Sequence, residues 1–293
     1  MKLIWIIHFF SRFLQPMSPG ISLIISFYKN IRWLKLIVTA LQDQSFSDFE
    51  VIISDDGSSP EIFGEVKNLF NHSGLIYHYI WHEDKGFRKT KILNEAVVGS
   101  KSDYLVFLDG DCVPHHHFLR EHYSGRKKGF VRAGRRVDLT ENVSNRLNED
   151  KIKSGYLGWP IIRDIFRDSI RTGLKSLEQG IYIKNIWLRR MINRKYRGIR
   201  GHNFSIHKND LLAVNGFDER FYKPGVGEDT DLEARLIRYG IKILGITKQA
   251  IVYHQYHIPL PREDDIYDFY HENNEKGVIY TPYGINKMNH TIR

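Results

Sequence analysis

Two carboxylates separated by one glycine stand at the end of an apolar run, where they could hold a metal ion. They are Asp109 and Asp111, which follow the run Tyr104-Leu-Val-Phe-Leu. Residues i and i+2 of a strand point to the same face, about 7 Å apart, and a turn at Gly110 brings them closer. Hard cations such as Mg²⁺ and Mn²⁺ take oxygen ligands and keep positions open for substrate phosphates. An isolated Asp-Gly-Asp is more often a surface turn, so its surroundings must decide between the two interpretations.

Two further acidic pairs stand at comparable boundaries. Asp55-Asp56 follows the apolar run 49–54 and precedes Gly57-Ser58. Glu228-Asp229 stands near the N-terminus of a helix predicted within the segment 225–240. Carboxylates at a helix start also suit the helix dipole, so helix capping is the alternative to a chemical role for the second pair.

The elements that must position these residues alternate between strand and helix patterns. Apolar runs predict strands, and i, i+3, i+4 spacing predicts helices, in the order strand 21–28, helix 33–41, strand 49–54, helix 60–70, strand 76–81, helix 89–98, strand 104–108, strand 201–207, helix 208–214 and strand 250–253. Such alternation predicts an α/β fold with a mostly parallel sheet and helices on both faces. Ligands bind beyond the carboxyl ends of such strands, so the pairs at 55–56 and 109–111 should line one crevice.

Composition narrows the class of protein. With 293 residues and 42% apolar content, the chain can bury a sizeable core. Its one cysteine, Cys112, excludes an intramolecular disulfide and a multi-cysteine zinc site, and nothing else in the sequence supports it as a nucleophile. The net charge of +9 favours anionic partners such as nucleotides, phospholipid headgroups or nucleic acid. No helix-turn-helix, zinc-finger or RNP pattern accompanies the charge, so we expect no nucleic-acid function.

Changes in composition divide the chain into an apolar extension, a main domain and a tail, at residues 1–20, 21–257 and 258–293. The main domain consists of a first half, a basic insert and a second half, at residues 21–125, 126–200 and 201–257. The extension is apolar for only about eight residues, whereas a membrane-spanning helix needs roughly 20. It has no signal-peptide cleavage site either, so it is an interfacial segment or a disordered extension.

Residues 181–192 of the basic insert interleave apolar side chains with cations, a pattern typical of an interfacial amphipathic helix. The apolar positions are Ile181, Ile183, Ile186, Trp187, Met191 and Ile192. Contact with an anionic membrane, packing on the domain with a solvated basic face, and nucleic-acid binding are the alternatives. We expect a cytoplasmic location, with peripheral attachment to the inner face of the cytoplasmic membrane as an option.

Six sequence blocks, taken in order, resemble glycosyltransferase family 2. They are Asp55-Asp-Gly-Ser58, Gly86-Phe-Arg-Lys-Thr-Lys-Ile-Leu-Asn94, Asp109-Gly-Asp-Cys-Val-Pro114, Gly201-His-Asn-Phe-Ser205, Asn215-Gly-Phe-Asp218 and Gly227-Glu-Asp-Thr-Asp-Leu232. The later blocks are similar to a region shared by galactosyltransferases and bacterial chondroitin polymerases. The resemblance covers about residues 21–257. It implies a GT-A fold, an inverting transfer from a nucleotide-activated sugar, and dependence on Mn²⁺ or Mg²⁺, with nucleotide-sugar binding in the first half and acceptor binding and catalysis in the second.

The resemblance also implies which residues bind the nucleotide. They are Ser26, Phe27, Tyr28, Asp55, Asp56, Arg88 and Lys91. The first three would line the nucleotide pocket. One of the two aspartates would contact the uracil or other base, and the two cations would lie near the base or the diphosphate.

Metal binding and catalysis are assigned by the same resemblance. Asp111 would bind the metal, and Asp109 the ribose or the metal. His254, after the strand 250–253, matches a third metal ligand of some related transferases, with His257 as the nearby alternative. The remaining acidic pair matches the proposed general base, Asp229, and a neighbour for acceptor binding, Glu228.

The chain departs from the family at one place. Related enzymes often have Trp-Gly-Gly-Glu-Asp where this chain has Gly225-Val-Gly-Glu-Asp229, so an aromatic floor for a sugar is missing. Tyr222 and Trp159 are the possible substitutes, and the identity of the donor sugar is left open.

The predicted partners are a nucleotide-sugar donor, with UDP as the expected nucleotide, and a glycan or lipid-linked glycan acceptor. The predicted activity is transfer of a sugar to a surface glycan such as lipopolysaccharide, capsule or O-antigen. The alternatives are a non-catalytic subunit that binds sugar nucleotides and a nucleotidyltransferase, which would release pyrophosphate.

Overall fold

A computed structural model of the chain describes residues 18–172, 177–192, 198–223, 227–258 and 265–287. Most of the predicted apolar extension, residues 1–17, lies outside these ranges. So do Arg194 and Lys195 of the basic insert, and Gly225 and Val226 of the motif that departs from the family.

The strands are β1 Ile21–Phe27, β2 Phe49–Asp55, β3 Tyr77–Trp81, β4 Tyr104–Asp109, β5 Cys112–Pro114, β6 Phe130–Ala133, β7 Arg135–Asp138, β8 Asn203–His207, β9 Lys242–Gly245 and β10 Ile251–His254. The helices are α1 Ile31–Gln42, α2 Pro60–Asn71, α3 Lys89–Gly99, α4 Phe118–Ser124, α5 Glu141–Arg146, α6 Glu149–Lys153, α7 Trp159–Thr172, α8 Ile186–Ile192, α9 Lys208–Leu212, α10 Glu228–Tyr239 and α11 Asp265–Glu275, with a 3₁₀ turn at Leu177–Gly180.

Seven strands form the main sheet, in the order β3-β2-β1-β4-β8-β6-β9. β3, β2, β1 and β4 are mutually parallel, β8 is antiparallel to β4 and β6, and β9 is parallel to β6. The central strands β1, β2 and β4 read as continuous apolar runs because both faces of a parallel sheet are covered. This confirms the predicted mixed α/β architecture.

The two faces of the sheet bury separate hydrophobic clusters. On one face, Leu23 of β1 belongs to a cluster with Leu34 of α1 and Phe70 of α2. On the other face, Ile24 belongs to a cluster that includes side chains of α3 and α10, among them Leu232. Adjacent residues of a strand point to opposite faces, so consecutive apolar residues of β1 anchor helices on both sides.

The register of the parallel strands brings chemistry-bearing residues to one edge. Ser26 of β1 lies opposite Asp109 of β4, and Phe27 lies opposite Asp55 of β2. All four residues therefore stand at the carboxyl ends of their strands, where ligands bind in open α/β sheets.

A second, three-stranded sheet has the order β5-β10-β7. Its central strand ends at His254, which lies opposite Cys112 of β5 and opposite Asp138 of β7. The residue before Cys112 is Asp111, so this small sheet delivers a histidine to the second carboxylate of the Asp-Gly-Asp turn.

Residues 126–200, predicted as a basic insert within the main domain, contribute strands to both sheets. β6 lies inside the main sheet between β8 and β9, and β7 completes the small sheet. The helix predicted across 181–192 begins only at Ile186, and residues 181–185 have no regular structure.

The predicted C-terminal tail contributes to the folded body. Asn215 donates its side-chain amide to the carbonyl oxygen of Thr281 at 2.6 Å, and Thr281 donates its hydroxyl to Asp218 at 2.6 Å. Ile285 packs against the cluster that contains Leu232. Residues 277–287 therefore close over the Asn215-Gly-Phe-Asp218 block.

Among the described helices, none combines the length and the apolar content required to cross a lipid bilayer.

Candidate functional site

A cavity of about 490 Å³ opens at the carboxyl ends of β1, β2 and β4. Three groups of side chains line it: aromatic rings, carboxylates, and a lysine with a histidine. They include Phe27, Tyr28, Trp33 and Phe87, then Asp56, Asp84, Asp109 and Asp111, and finally Lys89 and His257. This is the crevice that the strand order predicts.

The Asp-Gly-Asp turn requires its glycine for a steric reason. A Cβ atom at Gly110 would lie 2.5 Å from the carbonyl oxygen of Ser26. Only glycine allows the turn to pass this close to the end of β1. The Ser26 hydroxyl also donates to Asp109 at 2.8 Å, so the end of β1 fixes this carboxylate.

Three potential metal ligands converge beside the turn. Oδ2 of Asp111 lies 3.2 Å from Nε2 of His254 and 3.4 Å from Nε2 of His257. The two imidazole nitrogens are 3.2 Å apart, and the three ligand atoms all lie within 4.8 Å of one another. A carboxylate oxygen with two imidazole nitrogens suits a transition-metal dication such as Mn²⁺ better than Mg²⁺, which prefers oxygen ligands throughout.

The same three groups share a strong electrostatic coupling. Burial alone would raise the pKa of Asp111, but the His254 and His257 rings hold it well below its usual range. Burial alone would lower the pKa of His254, but hydrogen bonds with Asp111 and Asp138 raise it to about 9. The cluster is therefore a place where positive charge is stabilised.

Asp138 orients one of these imidazoles from behind. Its Oδ1 lies 3.2 Å from Nδ1 of His254, so Nε2 of the ring is directed at Asp111. Arg136 holds the same oxygen through Nε at 2.9 Å. Carboxylates in this position fix the tautomer of a metal-binding histidine.

His202 stands next to the cluster, and one of its ring nitrogens is unpaired among the described residues. Burial lowers its pKa to about 3, against the opposing effect of Asp109. Its buried Nε2 has no hydrogen-bond partner among the described residues. The ring therefore lies near both carboxylates of the turn, and burial favours its neutral form.

The two aspartates at the end of β2 have different positions. Asp55 is fully buried, where it accepts hydrogen bonds from the backbone N–H and hydroxyl of Ser58 and from the hydroxyl of Tyr79. Asp56 lines the cavity, 2.6 Å from Nε2 of His82 and 2.9 Å from the backbone N–H of Arg88. Of this pair, only Asp56 is placed where it can meet a ligand in the cavity.

The two cations assigned to the nucleotide from the Gly86 block, Arg88 and Lys91, make contacts elsewhere. The Arg88 guanidinium donates to the carbonyl oxygen of Glu83, and Lys91 lies 3.8 Å from Glu95 one turn further along α3. Neither side chain lines the cavity, whereas the intervening Lys89 does. The helical turn directs only the first residue of α3 to the end of β4.

Lys89 joins the two acidic regions of the site. Its ammonium nitrogen lies 2.8 Å from Oδ1 of Asp109 and 3.6 Å from Oε1 of Glu228. Burial alone would lower the pKa of Lys89, but Asp109 and Glu228 raise it above its ordinary value. Lys89 in turn lowers the pKa of Asp109 against the effect of burial.

Glu228 and Asp229 open α10, and Glu228 contacts Lys89, which lines the cavity. Asp229 accepts a hydrogen bond from the backbone N–H of Gly201 at 3.2 Å and another from the Thr230 hydroxyl at 3.2 Å. Burial raises the pKa of Glu228 above its usual range, although Lys89 opposes this shift. A backbone contact thus orients Asp229, and an ion pair with Lys89 orients Glu228.

A glycine and a further acid position this helix start. Gly227 has a φ of +136°, and the ring of Phe221 would lie 2.3 Å from an added Cβ. The third acid of the first turn, Asp231, faces inward to the fully buried Arg235 at 2.7 Å. Asp231 is therefore structural, and it leaves the other two acids for chemistry.

The aromatic lining of the cavity comes from the end of β1 and the residue after it, from α1, and from Phe87 ahead of α3. Tyr28 and Trp33 line it, and the Trp33 ring lies 5.7 Å from that of His257. The two predicted substitutes for the missing aromatic floor, Tyr222 and Trp159, are 56% and 72% exposed, and neither lines this cavity.

Comparison with protein families supplies the deciding observation. The model described as glycosyl transferase family 2 matches residues 22–197, which is more than half of the chain. The chain belongs to glycosyltransferase family 2. The model described as the N-terminal domain of galactosyltransferase matches residues 189–258 of this family 2 chain, which include Glu228, Asp229 and both histidines of the cluster.

Bacterial polysaccharide synthases are among the relatives of this family 2 chain. A chondroitin synthase of Escherichia coli is 25% identical over 250 residues, which are 82% of this chain and 35% of the relative. A hyaluronan synthase of Pasteurella multocida is 25% identical over 233 residues, 75% of this chain and 23% of the relative. The chain thus spans about a third or less of the length of these relatives.

Solved structures establish the fold of this family 2 chain as GT-A. A mannosyltransferase from Pyrobaculum calidifontis, solved in complex with GDP-Man and Mn²⁺, superposes with a TM-score of 0.52 and 13% identity. The match covers 82% of this chain and 58% of the mannosyltransferase.

Lys89, Asp138 and His202 are among the residues of the site that were absent from the sequence-based assignment. Lys89 and His202 lie inside two of the six blocks. Their polar side chains were a signal in the sequence, but the resemblance assigned roles to other residues. Asp138 carried no signal, since only the pairing of β7 with β10 brings it to His254.

Proposed function

We propose that this protein is a metal-dependent inverting glycosyltransferase that moves a sugar from a nucleoside-diphosphate sugar to a glycan acceptor. One observation carries the proposal. The cavity at the strand ends is lined by Asp111 and His257 of the candidate metal cluster and by Lys89, which is ion-paired with Glu228, the residue before the candidate base Asp229.

The donor side must stabilise a leaving nucleoside diphosphate. A divalent ion, which we infer to be Mn²⁺ from the nitrogen-rich ligand set, would stabilise the negative charge that develops as the sugar bond breaks. Asp111, His254 and His257 would hold this ion. Asp109, which Ser26 and Lys89 hold beside the cluster, is positioned for a ribose hydroxyl or for the ion.

The acceptor side must remove a proton from the attacking hydroxyl. We assign this role to Asp229, because the Gly201 N–H orients its carboxylate, whereas the carboxylate of Glu228 is ion-paired with Lys89. Glu228, which is paired with Lys89, is assigned to acceptor binding. A single displacement with a base on the face opposite the leaving group inverts the anomeric centre.

For the nucleotide we propose the residues that contact it, and for the acceptor only its chemical class. Asp56 at the end of β2 is the candidate for the base, and Ser26, Phe27 and Tyr28 line the adjoining wall. Kinship with chondroitin and hyaluronan synthases supports a polysaccharide acceptor, and a surface glycan such as lipopolysaccharide, capsule or O-antigen is the class we propose.

A panel of nucleotide sugars incubated with Mn²⁺ and analysed for products tests this function. Release of a nucleoside diphosphate supports a glycosyltransferase, and release of pyrophosphate supports a nucleotidyltransferase. Binding of a sugar nucleotide without any turnover across a panel of acceptors would indicate a non-catalytic subunit instead.

Asp138→Ala is expected to weaken Mn²⁺ binding by about 10- to 100-fold, as is typical when the partner of a metal-binding histidine is lost. The reason is that His254 loses the group that fixes its ring. Calorimetric titration of the purified variant with Mn²⁺ measures the effect. Asp138→Asn, whose amide oxygen still accepts from Nδ1, should keep most of the affinity, and equal affinities for the Ala variant and the wild type would contradict the assignment.

We also propose peripheral contact with an anionic membrane through α8. Its apolar side chains point to solvent, with Trp187 73%, Met191 63% and Ile186 60% exposed. Arg189 ties the helix to the body through both carboxylate oxygens of Glu121, at 2.8 and 2.9 Å. The helix therefore presents Trp187 and its neighbouring cation, Arg190, outward, which suits an anionic bilayer surface.

Trp187→Ser combined with Met191→Ser is expected to reduce partition onto phosphatidylglycerol vesicles at low salt by roughly tenfold or more, since each buried side chain contributes about 1.5–3 kcal/mol. Vesicle co-sedimentation measures it. Ile76→Ser, which changes a 66% exposed apolar side chain ahead of β3, is the matched control. Negligible binding of the wild type would make α8 a packing or acceptor element.

A further inference from the structure

Lys89 stands apart in the cavity by its charge. Of the described residues that line the cavity, it is the single lysine or arginine, and it faces four aspartates, Asp56, Asp84, Asp109 and Asp111. The cavity is thus acidic although the chain carries a net charge of +9. A nucleoside diphosphate entering it brings further negative charge, which a divalent ion alone offsets only in part.

Lys89 holds its ammonium group between two carboxylates beside the cavity. Its side chain is 17% exposed, so one side is held by the protein and the other is open to the cavity. Ion pairs with Asp109 and Glu228 offset the cost of burying the charge. A lysine ammonium carries three donors, so these two partners leave one direction free for a phosphate oxygen.

The backbone around Lys89 also favours the binding of an anion. Lys89 is the first residue of α3, an 11-residue helix, and the N-cap residue Arg88 makes no side-chain capping bond. Gly86 and Phe87, which lead into this helix, line the cavity. A helix N-terminus without a side-chain cap attracts anions through its free N–H groups and its dipole.

We propose that Lys89 binds the diphosphate of the donor, with Asp109 and Glu228 holding its ammonium group in position. This inference rests on the proposed function and adds a residue that contacts the leaving group. It also gives Asp109 a second task, because a carboxylate paired with lysine is less available to the metal ion than Asp111. Through Glu228, the same lysine connects the donor side of the cavity with the acceptor side.

The test measures Mn²⁺ binding and nucleotide binding separately in Lys89→Met. Loss of the positive charge should raise the affinity for Mn²⁺ alone, by about tenfold, because a unit charge no longer repels the dication. The affinity for UDP or GDP in the presence of Mn²⁺ should fall about 10- to 100-fold, because a charge-assisted bond to phosphate is lost. A merely structural role would weaken both affinities together.

Two further variants bracket this result. Lys89→Arg keeps the charge and should stay within a few-fold of the wild type in both titrations. Lys67→Met removes an exposed lysine from α2 and should change neither affinity. If Lys89→Met fails to fold, Lys89→Met with Glu228→Gln removes the charge and one counter-charge together, and the same loss of nucleotide affinity is expected.

The outcomes separate this inference from the proposed function. A wild type that binds no nucleoside diphosphate with Mn²⁺ overturns both. A wild type that binds UDP or GDP, with a Lys89→Met variant or double variant that binds it equally well, overturns the role of Lys89 alone. Parallel weakening of Mn²⁺ and nucleotide binding in the variant also overturns it.

Discussion

Asp229→Asn is expected to lower kcat by about 10²–10⁴-fold, the usual contribution of a general base. Asparagine keeps the size of the side chain and can still accept from the Gly201 N–H, so the start of α10 should keep its shape. It cannot take up a proton from the acceptor hydroxyl. The affinity for the donor nucleotide should therefore change little, and a comparison of steady-state turnover with calorimetric nucleotide binding measures both effects.

Glu228→Gln is the matched variant, because it changes the neighbouring carboxylate in the same way. We expect it to act mainly on the KM of the acceptor, since Glu228 is paired with Lys89 at the inner end of the helix. Near-normal kcat in Asp229→Asn with loss of activity in Glu228→Gln would move the base to the other residue. Full activity in both variants would reduce the pair to a helix start.

Asp111→Ala is expected to abolish Mn²⁺-dependent nucleotide binding while the protein stays folded. Asp111 is the carboxylate to which both histidines of the cluster turn, and without it two imidazoles remain as ligands. A loss of one charged ligand from a three-ligand site should weaken Mn²⁺ binding beyond the 10- to 100-fold expected of Asp138→Ala. Titration with UDP and GDP, each with and without Mn²⁺, measures the effect.

Asp84→Asn is a suitable control for Asp111→Ala, because Asp84 lines the same cavity but pairs with Tyr28 and Lys29 away from the cluster. It removes one negative charge without touching a proposed ligand. Its Mn²⁺ affinity should stay close to that of the wild type. Unchanged Mn²⁺-dependent affinity in Asp111→Ala would remove Asp111 from the metal site.

The order of the elements could be predicted from the sequence because it depends on local patterns. Every strand and helix predicted between residues 21 and 109 is present, with ends that differ by at most two residues. Strands β6, β7 and β9 were not predicted, because they do not have a clear local pattern. They are four residues long, and β6 and β7 carry arginines, so they become strands only through their neighbours in the sheets.

The sequence predicted the types of polar residue at the site, but it did not identify every individual residue. Motif spacing indicated carboxylates at the ends of β2 and β4 and at the start of α10, and histidines at the end of β10 and just beyond it. It did not distinguish Asp55 from Asp56, because adjacent residues at a strand end face opposite ways and only packing shows which side is the core. Nor did it select Lys89 from the three basic residues of this block, at positions 88, 89 and 91.

What the sequence determines by itself is therefore the alternation of buried strands and amphipathic helices, and with it the edge at which ligands bind. These follow from side-chain periodicity and from glycine and proline at fixed positions, which act over a few residues. The tertiary structure alone decides which charges meet. The contacts of Asp138 with His254, of Lys89 with Asp109 and Glu228, and of Gly201 with Asp229 join residues far apart in the chain. Such contacts depend on strand register and helix rotation, which are set by the packing of the whole core rather than by any local pattern.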